Sequence, residues 1–327
     1  EQQDQFGRQA RVPFPPGAPH RLAPDRAGGE GDDGERPADR RDAIRWTSAA
    51  GVDASAIGAH AEAANWFEQA ASVASTTDDR AGQVTAMIAS ADSLRMAGFP
   101  EQEVALFRAV DAATDLGDPD LMADATFALL QLGATTESGA IHERAVAAAD
   151  RTLTIVRDPE RRARVAAAAA LAYSLTESSD RCRPLFLEAV SLASRDDTRR
   201  AILPFAFLAL GHPSDLQQRE ELTAELIELA HRDDDPVAAF EGHQLAFSVA
   251  IQRSDGPRMR ASLASLEALV PRVGDVGRRW AIHYHRAAVE HLDAKLDAAE
   301  RSAETAMELF APISPSRAFA TYGGQLL

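Results

Sequence analysis

Of the 327 residues only one is lysine, Lys295, and only one is cysteine, Cys182. A single cysteine excludes an internal disulfide and a multi-cysteine zinc site. The lone lysine stands outside any Gly-x-x-x-x-Gly-Lys-Ser/Thr run, so no Walker A phosphate loop is present. Aromatic residues make up 6% of the chain. No apolar run approaches the roughly 18 residues that a membrane-spanning helix needs. No helix-turn-helix pattern with a basic, base-reading second helix occurs, and no apolar core of a secretory signal follows Glu1. Val, Ile and Thr never alternate with polar residues over a strand length, and Asn-Gly hairpin turns are missing. These absences exclude a disulfide scaffold, a P-loop NTPase site and a β-rich fold. A reducing, cytoplasmic setting is the expectation.

Charge narrows the class further. The net charge is −16, and the basic residues, almost all arginine, are interspersed with Asp and Glu as on a solvated helix surface. No Lys/Arg block offers phosphate contacts, so direct nucleic-acid binding is not expected.

Residues 1–41 are rich in Pro, Gly and charge and show no apolar period, which predicts a linker without fixed structure. Residues 42–327 differ. Asp118-Pro119, Asp158-Pro159 and Asp235-Pro236 each put an N-cap acceptor before a proline suited to the first helical position. Gly117 supplies a stop for the helix ahead of the first of these. First helices are predicted to start near Arg80, Asp120, Pro159, Thr198, Pro236, Val276 and Pro315. Those starts recur about every 39 residues, the signature of a repeat array. Second helices are predicted over Pro100–Leu116, Ile141–Val156, Asp180–Ser194, Asp215–Ala230, Pro257–Val270 and Leu296–Phe310. An earlier hairpin is expected over Arg41–Gly58 and Ala61–Ser75. Pro204 should kink the helix that begins near Thr198 or delay its start. The chain opens on Glu1 rather than Met and reaches Leu327 before the last unit gains a second helix, so the array is expected to continue beyond this sequence.

The stretch Gly58-Ala59-His60-Ala61-Glu62-Ala63-Ala64-Asn65-Trp66-Phe67-Glu68-Gln69-Ala70 resembles the turn and second helix of a tetratricopeptide (TPR) repeat, with Ala63, Phe67 and Ala70 at the buried spacing. Gly98, Phe107 and Val110 echo it, with Glu103 in place of a small residue. Ala299, Ala303 and Ala306 echo it again, with Ala294 in place of the turn glycine. The repeat length, Asp115-Leu116-Gly117-Asp118-Pro119, Arg279-Trp280 and Leu296-Asp297-Ala298-Ala299-Glu300-Arg301 look like the repeat region of large bacterial AAA/STAND signal-transduction ATPases. This resemblance covers residues 42–327. In that group an ATPase precedes TPR-like repeats, and a LuxR-type helix-turn-helix or a nucleotide cyclase lies at one end. The resemblance implies an all-α, TPR-like right-handed superhelix of about seven hairpins, a regulatory arm without chemistry or cofactor of its own. A free-standing TPR adaptor is the alternative.

First helices of successive hairpins are expected to line a concave face where a protein, a peptide or a small inducer docks. Arg279, His285 and Arg286 are the candidate residues of that face. Other constellations are weaker. His283 and His285 stand about 200° apart on a helix and cannot easily share one ion; His291 lies two turns from His283 on the same side, but no third ligand converges there, so packing histidines are expected. Cys182 lies near a helix start between Arg181 and Arg183, which should lower its thiol pKa, but no nucleophilic partner is close in sequence. The runs Asp196-Asp197 and Asp233-Asp234-Asp235 sit at helix junctions, where capping explains them.

Overall fold

A computed structural model describes residues 37–132, 143–173, 179–273, 276–312 and 315–326. The chain divides into Glu1–Arg36 and Pro37–Leu327. The expected linker therefore lies outside the described residues up to position 36, while Pro37 to Arg41 already belong to a helix.

Every regular element among the described residues is helical. The first two hairpins are α1 (Pro37–Ala56) with α2 (His60–Ser75), and α3 (Arg80–Ala97) with α4 (Gln102–Leu116). Then come α5 (Pro119–Leu130) with α6 (Glu143–Ile155), and α7 (Pro159–Tyr173) with α8 (Cys182–Leu192). The next unit is α9 (Asp196–Ile202) and α10 (Ala206–Ala209), followed by α11 (Leu216–Arg232). The remaining elements are α12 (Pro236–Gln252) with α13 (Gly256–Val273), α14 (Val276–Leu292) with α15 (Leu296–Phe310), and α16 (Pro315–Leu326). Apart from α9 and α10, which the 3-10 turn separates, each helix packs on its successor, and α3, α5, α7 and α9 also pack on one another in that order, which gives a layer of first helices.

The Asp-Pro signals act as the sequence implies. Asp118 Oδ1 accepts from the amides of Asp120 and Leu121, Asp158 from Arg161, and Asp235 from Val237 and Ala238, at 2.8–3.2 Å. The α1–α2, α3–α4, α12–α13 and α14–α15 turns, and the α11–α12 junction between hairpins, share one backbone solution, a residue in the left-handed region closing a Schellman motif. Gly58 and Gly98 hold φ of 78° and 73°, and Asp234, Ser254 and Ala294 hold 51°, 55° and 56°. At Ala294 the amide donates to His291 O at 3.0 Å and the Lys295 amide to Glu290 O at 2.9 Å. Pro204 does break its helix: α9 stops at Ile202, a 3-10 turn spans Leu203–Phe205, and α10 resumes beyond it.

The core follows the TPR-like spacing, with Ala63, Ala70, Ala299 and Ala303 fully buried. Helix α7 is the extreme case. Ala163 and Val165 to Ala170 are all inaccessible, because methyl-sized side chains let neighbours close around the helix on every side. Phe205, turned by the Pro204 break, packs against the clusters on both sides of α7 and meets the edge of Phe127 of α5 at 6.3 Å.

Candidate interaction surface

The side of the first-helix layer turned away from the second helices was the expected docking face, and α12 fixes its direction. Gly242 lies against Ile227 of α11, so close that a Cβ there would come within 2.6 Å of Ile227 Cγ1. On the opposite side of the α12 cylinder, at helical spacing, stand Val237, Glu241, Gln244 and Ser248, all at least partly exposed. Glu241 accepts from Arg278 of α14 at 3.2 Å, and the Arg278 guanidinium lies over the Phe240 ring at 5.8 Å. The pair ties two successive first helices. Arg161 of α7 does the same for α5, reaching Asp124 at 3.1 Å and Asp120 at 3.2 Å. Hydrogen bonds and charge from Asp124 hold the Arg161 pKa above its ordinary value against the opposing effect of burial.

On α14 the outward positions are Tyr284 and Ala288, both half-buried. Tyr284 stacks on Trp280 at 5.3 Å, and Trp280 on Phe310 of α15 at 4.8 Å. Gln325 of α16 donates to the Tyr284 carbonyl at 2.8 Å. The surface thus combines an aromatic shelf with Gln244, Ser248 and an anchored ion pair, groups suited to a peptide or a small polar molecule.

The three candidates from sequence fall elsewhere on α14. Arg286 pairs with Glu267 of α13 at 2.7 Å, which turns it toward a second helix. Arg279 is exposed and, seven residues earlier, shares the side of the helix that carries Arg286. His285 is 8% exposed, stacked on Phe247 of α12, and neither ring nitrogen has a hydrogen-bond partner. Burial pushes its pKa down to about 4, so the ring is a neutral core group and offers nothing to a ligand. A seven-residue spacing puts Arg279 and Arg286 on one face but says nothing of which helix that face meets. Arg278, Gln244 and Tyr284 went unnoticed for the same reason.

No group of three or more His, Cys, Asp or Glu among the described residues is placed to hold a metal ion. Burial, then the Arg286 guanidinium, depress the His283 pKa. Cys182 reverses its expected behaviour: its thiol donates to Ala170 O at 3.0 Å, and burial followed by Asp180 raises its pKa. The flanking arginines are directed elsewhere, Arg181 to Asp150 at 2.9 Å and Arg183 to Asp215 at 3.0 Å. No helix among the described residues is long and apolar enough to cross a membrane.

No family model matches the chain, and no curated protein matches it.

Proposed function

We propose that residues 37–327 are a TPR-like superhelical interaction scaffold without catalytic chemistry, the sensing arm of a larger ATP-dependent signal-transduction or transcriptional regulator. The carrying observation is the outward face of α12 and α14, where Glu241 and Arg278 lock two first helices together beside Gln244, Ser248 and Tyr284. Rigid helices present these groups in fixed register. A peptide, protein segment or small inducer bound across both helices favours one packing of the pair over others, and that bias passes along the array to neighbouring modules.

The test is a thermal-shift screen of short peptides and small polar metabolites against the chain, followed by titration of any hit. A ligand of this face loses at least about tenfold in affinity, or 1.4 kcal/mol, in both Gln244→Ala and Tyr284→Ala. A ligand indifferent to both places docking elsewhere. ATP turnover by the isolated chain, abolished by one point substitution, overturns the non-catalytic reading.

A further inference from the structure

The charge of the chain is unevenly distributed. Residues 42–156 hold 17 carboxylates but only 6 arginines, so most of the net negative charge lies in the first three hairpins. The same region exposes large apolar side chains at its hairpin turns. Ile57, beside the left-handed Gly58, is 81% exposed, and Phe99, beside Gly98, is 36% exposed. Val52 near the end of α1 and Val104 near the start of α4 are 58% and 64% exposed.

These residues share one edge of the array. Ser90 of α3 donates to Ala64 O of α2 at 3.1 Å, and the two helices run antiparallel. The C-terminal end of α3 therefore travels toward the α1–α2 turn and delivers Phe99 beside it. Asp53 and Glu62 flank the α1–α2 turn and Glu101 lies in the α3–α4 turn; all three are exposed, and none forms an ion pair among the described residues. Of the guanidiniums nearest along the chain, Arg45 pairs with Asp42 at 3.3 Å, Arg95 is committed to Asp92 at 2.8 Å and to Gln131 at 3.3 Å, and Arg108 is exposed one turn beyond Val104.

Single exposed apolar residues are ordinary, but four on two neighbouring hairpins whose turns also carry unpaired carboxylates form a two-part recognition surface. We propose that this edge docks a cationic amphipathic helix, its apolar stripe on Ile57, Phe99 and Val104 and its Lys/Arg flanks facing Asp53, Glu62 and Glu101. Charge complementarity favours that occupant over a second copy, because two such edges meeting face to face bring like charges together. The edge lies on the first two hairpins and is separate from the α12–α14 face, so either surface can fail without the other.

The probe is a fluorescein-labelled helical peptide of alternating Leu and Lys blocks, followed by anisotropy with the full chain at moderate salt. Saturable binding is expected below about 100 μM. The Ile57→Ser/Phe99→Ser/Val104→Ser variant and the Asp53→Asn/Glu62→Gln/Glu101→Gln variant should each weaken it at least about tenfold, with unchanged circular dichroism and melting. The proposal is overturned by an unaltered affinity in either variant, by equal binding of an oligolysine of the same length, or by no binding. A concentration-dependent dimer that the serine variant dissociates would also overturn it, by giving the edge to a second copy.

Discussion

The His285 imidazole lies 4.4 Å from the Phe247 ring, tilted by 35°, and makes no hydrogen bond through either nitrogen. The contact joins α12 to α14 and tolerates only the neutral ring. Tyr284 meets the imidazole edge-on at 5.6 Å and supplies no counter-charge. With the folded pKa near 4 and the ordinary value at 6.5, protonation favours the unfolded chain. Stability from this group is fully present above pH 6.5 and is lost as pH falls toward 4, up to about 3 kcal/mol. Depressed values at His243 and His283 act in the same direction. Urea unfolding between pH 7.5 and 4.5 should show this decline, and His285→Leu should flatten it. An unchanged slope in the variant would place the acid sensitivity elsewhere.

The left-handed turn residues make opposite predictions at two matching positions. A Cβ at Gly98 meets nothing within 4 Å, so Gly98→Ala costs only the backbone penalty of positive φ, about 1 kcal/mol. Ala294 already bears that penalty at φ 56°. Ala294→Gly should stabilise by about 0.5–1 kcal/mol, the relief being partly offset by the looser unfolded chain. Thermal melts of the two variants should move in opposite directions.

Much of this fold is legible in residue order. Asp118, Asp158 and Asp235 before prolines mark helix starts because capping and proline geometry are local. The Pro204 break is local too. The face that each helix turns to its neighbours is not local. Arg286 finds Glu267 only because α13 happens to lie there. Cys182 looks activated by Arg181 and Arg183 until Asp150 and Asp215, from other segments, claim both. The burial of α7 follows from runs of alanine, yet Phe205 closing over it depends on how the chain leaves Pro204.

The close approach at Gly242 sets the direction of α12. Gly242→Ala drives a methyl into Ile227 Cγ1 and should destabilise by about 1–3 kcal/mol. Ile227→Ala alone also destabilises, by cavity formation. Combined, the two changes should cost clearly less than their sum, because each relieves the other. An additive double-mutant cycle would show that the α11–α12 spacing is set by other contacts.

Cys182 reports on the joint between α7 and α8. Its thiol is buried and donates to Ala170 O, and its pKa is raised, so the reactive thiolate is scarce while the joint is closed. The joint is held by Tyr173, whose hydroxyl donates to Asp150 Oδ1 at 2.5 Å, and by Arg181, which lies 4.1 Å over the Tyr173 ring. Burial and then the Asp150 hydrogen bond push the Tyr173 pKa up to about 12. Burial works against ionised Asp150, but bonds from Tyr173 and Arg181 outweigh it and hold that carboxyl below the usual range. Tyr173→Phe removes one of those bonds and leaves the ring in place. Its cost should be about 1–2 kcal/mol, and local opening should become more frequent. Iodoacetamide labelling at pH 8 should therefore be slow in the parent chain and at least about fivefold faster in Tyr173→Phe, as about 1 kcal/mol of opening free energy implies. Labelling as fast as a free cysteine in the parent would mean that Cys182 is not enclosed. An equal slow rate in both would mean that the Tyr173–Asp150 bond does not hold the joint.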